Sequence, residues 1–315
     1  MISSETSDRT SMFADVQNRT AVMQDIANFF SLGVVTTIFK SNTGRSNLTF
    51  FVNTDEDAQY VVRISKTLDT YDLENEFFIQ DSLRSSYSLT NCMLTSRNGD
   101  LYYHQGGIYA TVSGFIKGHH PQNPVPLIEC YLIGKALAQF HQSFHGKYLP
   151  NAGVGNLLDI VSVQSRLDHL TPGVPRERLA TLFSQSRIAA EDRGLPKGVI
   201  HGDLHVENVL IHRRHVAMLD LQNVGEENLI LDIGRSIADV CSYSRKLDLE
   251  KVASFLDGYK VNRQLMQKEK ELIGCAIAYG AAATGAWFYE YGDYGFGDHF
   301  LDVGFAALNA YIDIA

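Results

Sequence analysis

The chain has 315 residues, 45% of them apolar and 20% charged, which excludes collagen, coiled coil and wholesale disorder and leaves enough chain for about two lobes with substantial cores. Lys and Arg number 27 against 36 Asp and Glu, so the formal charge is −9 and non-specific attraction to nucleic acid or an anionic membrane surface is disfavoured. Cys92, Cys130, Cys241 and Cys275 are too scattered for a zinc-ligand pair or a disulfide framework, and the N-terminal segment carries charges where a signal peptide needs an apolar stretch, so a cytoplasmic setting is expected.

Taken in order, residues 20–30 place Val22, Ile26, Phe29 and Phe30 at helical spacing. Runs at 34–40, 48–53 and 60–64 are β-branched and aromatic, with turn-formers at 41–46 and 53–57 between them, and read as an antiparallel meander. A helical pattern at 70–83 follows, then two further strands at 101–104 and 108–112. Beyond Gly114 the spacing becomes helical at 127–145, 159–170, 176–193, 231–243, 249–259 and 268–289, broken only by short strand-like runs at 199–200, 209–211 and 216–219. The expected fold class is therefore α+β and bilobal: a small antiparallel-sheet lobe over 1–113, a hinge at 114–118, and a larger, mainly helical lobe over 119–315. Residues 272–289 carry no charge over 18 positions, near the lower limit of a membrane span, but Ala, Gly and Thr fill much of the run and Glu271 and Glu290 bracket it. A buried helix is expected there, with no membrane partner.

The stretch richest in chemistry is GVIHGDLHVENVLIHRRHVAMLDL, residues 198–221, in which H-x-D-x-x-x-x-N is followed by an acidic residue ending an apolar run. Moving a γ-phosphoryl group requires a carboxylate beside the attacking hydroxyl and oxygen ligands that hold Mg2+ against a triphosphate. Asp203 fits the first need, Asn208 and Asp220 fit the second, and His201 fits a supporting place in the loop backbone. Taken one at a time, the same residues also read as loop caps or surface carboxylates; their joint spacing between apolar runs favours the kinase reading.

IHGDLHVENVLI followed by VAMLDL resembles the signature of the aminoglycoside phosphotransferase and choline kinase superfamily, whose members phosphorylate small molecules on a protein-kinase-like fold. LPKGVIHGDLHVENVLI is most similar to the bacterial homoserine kinase branch, although Gly202 stands where that branch commonly has Ala. IGKALAQFH at 133–141 is similar to the first long helix of the family's C-terminal lobe, so the resemblance spans residues 20–290. It implies a nucleotide-covering hairpin over 41–52 that includes Ser46 and Asn47, and a phosphate-binding base on the third strand at Arg63. It also implies a helix carboxylate pairing with that base at Glu76, with Glu74 as competitor, and a hinge whose backbone around Ser113 and Phe115 meets the purine. Asp232 matches the helix-start Asp that braces the catalytic loop. After Asp220, Leu221 and Gln222 replace the aromatic and second carboxylate found in many relatives, which leaves one or two metal ions open.

The segment WFYEYGDYGFGDHFLD, 287–302, interleaves aromatic residues with Glu290, Asp293, Asp298 and Asp302, a pattern that suits a cationic amine or, equally, a helix connection with core aromatics. The function expected is an ATP- or GTP-dependent, Mg2+-requiring kinase, monomer or homodimer, acting on the hydroxyl of a small metabolite or antibiotic such as an amine-bearing alcohol. Two alternatives are a noncatalytic nucleotide-binding module and a metallophosphoesterase reading of G-D-L-H at 202–205, which lacks the later metal segments. A protein kinase is disfavoured because the twelve-residue step from Asp220 to Asp232 leaves little room for a peptide platform.

Overall fold

A computed structural model describes residues 16–41, 48–65, 68, 70–84, 90, 92–151, 156–310 and 312. The fold is α+β and bilobal, and the chain divides into two compact units, the first comprising residues 1–73 and 91–116 and the second 74–90 and 117–315.

The first unit opens with helix α1 (Val16–Phe30) and continues into strands β1 (Val35–Lys40), β2 (Leu48–Thr54) and β3 (Gln59–Ser65). Strands β4 (Tyr103–Gln105) and β5 (Ile108–Gly114) complete a five-stranded antiparallel sheet in the order β1-β2-β3-β5-β4. Alternation sets the faces: Phe50 and Val52, Val62 and Ile64, and Ala110 and Val112 point into one core with Met23, Ile26 and Phe30 of α1. Two glycines at positive φ, Gly106 (62°) and Gly107 (74°), supply the turn between β4 and β5 that a two-residue hairpin demands. Arg63 lies on the opposite face of β3 from Val62 and Ile64, between Thr49 and Thr111 on the neighbouring strands.

The second unit holds helix α2 (Thr70–Arg84) from Glu74 onward, then α3 (Leu127–Ser143), α4 (Ile160–His169), α5 (Val174–Ser186) and α6 (Ile188–Glu191). Strand β6 (Lys197–Ile200) pairs with β9 (Gly225–Asn228), and β7 (Val209–His212) with β8 (His215–Met218). Helix α7 (Leu229–Val240) leads through the hairpin β10 (Ser242–Tyr243) and β11 (Lys246–Leu247) to α8 (Leu249–Lys260), α9 (Gln267–Glu290) and α10 (Tyr294–Asn309). Helix α9 has the length and hydropathy of a membrane span, yet 72% of its most apolar stretch is buried against α5, α7 and α10. The charge-free run is thus a core helix, and its small residues explain why: a Cβ on Gly280 would stand 2.6 Å from Arg235 Cα, and one on Gly234 of α7 would stand 2.2 Å from the Ala276 carbonyl. These glycines let α7 and α9 approach backbone to backbone.

Several elements differ from the pattern reading. The helix expected over 176–193 is divided at Arg187 into α5 and α6, and the one expected over 231–243 stops at Val240, where Ser244 and Arg245 at positive φ turn the β10–β11 hairpin. Strand β9 was not foreseen because its sequence, GEEN, carries no β-branched or aromatic signal. Helix α10 was hidden by Gly295, Gly297 and Gly304, two of which face other residues closely: Gly297 the Tyr289 ring, Gly304 the Leu182 side chain.

Candidate active site

Strand β6 delivers the chain into a loop, His201 to His205, that ends in a single 3-10 turn (Val206–Asn208) before β7. Gly202 makes this loop possible: its φ is +79°, and a Cβ there would stand 2.1 Å from the Asn223 carbonyl oxygen. Buried His201 receives the Asp203 amide on Nδ1 (3.3 Å), which leaves Nε2 to carry the proton and donate to the Leu219 carbonyl (3.0 Å). Asn208 Nδ2 donates to the Asp203 carbonyl (2.9 Å), so Oδ1 is the atom left to face a cation. The Leu219 amide donates to the Asn208 carbonyl (2.9 Å), tying Asp220 into the same corner.

Asp220 is exposed, adopts a left-handed φ of 58°, and makes no hydrogen bond or ion pair among the described residues. A non-glycine residue in that region costs about 1–3 kcal/mol, a strain that other groups must sustain. Among the described residues no three His, Cys, Asp or Glu side chains cluster as a self-sufficient metal cage. The donor set of one free carboxylate and one amide oxygen fits Mg2+ held largely by phosphate oxygens and water.

Helix α7 braces this loop along one face. Asp232, in its first turn and fully buried, accepts the His201 amide on Oδ2 (2.7 Å) and the Gly202 amide on Oδ1 (3.0 Å). Its Oδ2 also accepts His141 Nε2 (3.0 Å), and His141 Nδ1 accepts the hydroxyl of Tyr259 (2.7 Å). Tyr259 in turn accepts Arg263 Nη1 (3.2 Å), and Arg263 forks onto Glu269 (2.8 and 3.0 Å). The donors run one way along this chain, so His141 is neutral with its proton on Nε2. Burial pushes the His141 pKa below its ordinary value despite the adjacent carboxylate. Burial alone would raise the pKa of Asp232; the His141 hydrogen bond, the nearby imidazoles and the loop amide outweigh it and hold the carboxyl below the usual range.

One turn further along α7, Arg235 Nη2 donates to Asp203 Oδ1 (2.8 Å), and Asp239 Oδ1 accepts the Val206 amide (3.1 Å). Asp203 Oδ2 stands 3.7 Å from His205 Nε2. Arg235 and Asp239 lie outside the sequence motif, their one signal being helical spacing from Asp232; His141 and His205 stand within the stretches 133–141 and 202–205, where nothing in the spacing pairs them with Asp232 or Asp203.

The remaining expectations fall as follows. Glu76 is buried and accepts Gln80 Nε2 (3.0 Å), whereas Glu74 is exposed and accepts Asn151 Nδ2 (2.9 Å). Ser46 and Asn47 lie outside the described residues. Ser113 is buried opposite Val61 on β3. The amides of Gly114 and Phe115 donate to the carbonyls of Cys92 (3.2 Å) and Gln59 (3.1 Å), so neither is presented to a purine without rearrangement. Most of the carboxylates in 287–302 are already engaged: Asp302 by Arg178 (3.2 Å) and Arg245 (2.7 Å), Asp298 by Arg245 (3.1 Å) and the Tyr289 hydroxyl. Asp293 accepts the Phe296 amide at the start of α10 (3.3 Å). Trp287, Glu290 and Tyr291 line a cavity of about 540 Å³ together with Arg166 and His169, and Glu290 there stands 3.8 Å from Arg166 Nε.

A sheet-bearing unit, a larger helical unit and a braced H-G-D loop define a protein-kinase-like phosphotransferase. The model of the phosphotransferase enzyme family (APH) matches residues 40–272, and the chain belongs to that family. It is 28% identical over 261 residues to a homoserine kinase of Polaromonas naphthalenivorans (strain CJ2), covering 80% of this chain and 81% of that one. Among solved structures, the amicoumacin kinase hAmiN in complex with AMP-PNP, Ca2+ and Ami superposes with a TM-score of 0.70 at 14% identity, over 90% of this chain and 92% of its own. A microcompartment-associated aminopropanol kinase gives 0.62 at 15%, over 89% and 95%. The activity is ATP-dependent phosphoryl transfer to a hydroxyl of a small molecule.

Proposed function

We propose that this chain phosphorylates a small amine-bearing alcohol, with homoserine the first acceptor to test, using Asp203 as general base and Asn208 and Asp220 as the protein ligands of Mg2+. The observation that carries the reading is the state of Asp203: one carboxylate oxygen is fixed by Arg235 at 2.8 Å, and the side chain remains 19% exposed at the surface of the loop. A carboxylate so held can receive a proton without first reorganising. As the acceptor oxygen bonds to phosphorus and the bond to the β-phosphate oxygen breaks, Asp203 takes the hydroxyl proton. Mg-ATP, when bound, supplies an electrophilic phosphorus whose developing charge the cation neutralises. Asn208 and Asp220 would hold the cation; by the family resemblance Arg63 of β3 is the phosphate-binding base and Glu76 the helix carboxylate assigned to it.

The amine reading draws support from the homoserine kinase that covers four-fifths of both chains and from the aminopropanol kinase structure. A screen by ADP release with Mg-ATP tests it: homoserine or a related amino alcohol should be turned over in preference to neutral sugars and nucleosides. Turnover of neutral sugars with none of amino alcohols would contradict the acceptor class.

A further inference from the structure

We propose that Arg235 is the positioning residue of the reaction: it sets the rotamer of Asp203 and fixes the catalytic loop to α7 through Asp239. The proposal rests on Asp203 being the base.

Asp232, Arg235 and Asp239 occupy positions i, i+3 and i+7, one face of α7, and each holds a different part of the loop. Asp232 receives the amides of His201 and Gly202, Arg235 the Asp203 carboxylate, and Asp239 the amide of Val206. Arg235 Nη1 stands 3.8 Å from Asp239 Oδ2. A closed circuit results, running from the Asp203 side chain through Arg235 and Asp239 back to the loop backbone three residues later. Pinning Oδ1 of Asp203 leaves Oδ2 as the oxygen for the acceptor's proton.

A purely structural ion pair does not account for this guanidinium. Its side chain is 4% exposed, and Nε and Nη1 are buried with no hydrogen-bond partner among the described residues. The guanidinium carbon lies over the Phe300 ring, 5.8 Å from its centroid, a cation–π contact that adds little specificity of orientation. With one hydrogen bond from the buried guanidinium among the described residues and Asp239 no nearer than 3.8 Å, burying this cation does not favour folding over an apolar side chain of similar length. Asp203 and Asp239, 19% and 18% exposed, retain solvent access without it. The arrangement stabilises a geometry rather than the fold.

The test separates the two roles. Arg235→Met should lower kcat by about 10²-fold, leave KM for ATP within about twofold, and leave Tm unchanged or raised. Arg235→Lys, which keeps a single charge-assisted bond to Oδ1, should recover part of that loss. Because Arg235 acts through Asp203, adding Arg235→Met to Asp203→Asn should slow the residual rate little further. Wild-type kcat in Arg235→Met, beside an inactive Asp203→Asn, overturns this proposal alone. So does a lowered Tm with kcat per folded molecule preserved, or multiplicative losses in the double variant. Wild-type turnover in Asp203→Asn instead removes the base assignment itself.

Discussion

Replacing Asp232 by Asn keeps shape and size but alters all three hydrogen bonds that this side chain accepts. Three donors converge on this carboxylate: the amides of His201 (2.7 Å) and Gly202 (3.0 Å) and the imidazole of His141 (3.0 Å). A carboxamide offers one oxygen. If that oxygen faces Gly202, the new NH2 group opposes the His201 amide; if it faces His201 and His141, the Gly202 amide loses its acceptor. One buried donor is thus left unsatisfied at about 1–3 kcal/mol, and the surviving bonds lose their charge assistance, for a total of about 3 kcal/mol. That is less than the whole stability of an ordinary domain, so the variant should fold, with a Tm lower by roughly 6–12 °C on the scaling for medium-sized chains. With the loop displaced, kcat should fall by about 10²-fold while ATP still binds. Thermal unfolding and steady-state ADP release on the same preparation measure both. A Tm within about 1 °C of wild type together with unchanged kcat would falsify the bracing role.

Acid should destabilise the protein in a window set by buried histidine. His141, whose pKa lies below its ordinary 6.5, stays neutral in the fold while the unfolded chain takes up a proton, so stability is full above about pH 6.5 and falls as pH drops toward the folded pKa. His299, lowered by burial, contributes with the same sign, and Asp232, lowered from 3.8, adds a further loss below about pH 3.8. Denaturant midpoints from pH 8 to 5 should therefore fall in wild type and fall less in His141→Gln; parallel profiles would contradict the assignment. Gly202→Ala should cut kcat by at least about tenfold, because a φ of +79° and the Asn223 carbonyl at 2.1 Å leave no room for a methyl group. Gly234→Ala should lower stability by about 1–3 kcal/mol by forcing α7 from the Ala276 carbonyl, and an unchanged Tm would show that the contact relaxes freely.

What the sequence disclosed depended on how local each signal was. His201, Asp203, Asn208 and Asp220 lie within twenty residues on short loops and strand ends, so spacing and apolar runs were enough to place them close together. The antiparallel sheet was equally legible, because period-two alternation and the Gly106–Gly107 turn are encoded where they act. Arg235, Asp239 and His141 act through packing: the first two reach the loop from α7, which glycines 234 and 280 bring against α9, and His141 reaches Asp232 from α3, where Gly134 meets the Phe255 backbone. Pattern reading also could not see that Arg178 and Arg245 engage Asp298 and Asp302, since 124 residues separate Arg178 from its partner. Glu76 and Glu74, two positions apart on α2, differ in burial, which their spacing alone does not show.

The account stands on Asp203, and the direct measurement is single-turnover phosphoryl transfer by wild type and Asp203→Asn with saturating Mg-ATP and an acceptor found in the screen, alongside nucleotide affinity. The expected result is a loss of about 10²- to 10⁴-fold in the transfer rate with ATP affinity within about twofold of wild type. Transfer at the wild-type rate by Asp203→Asn would show that the braced loop holds something other than the base.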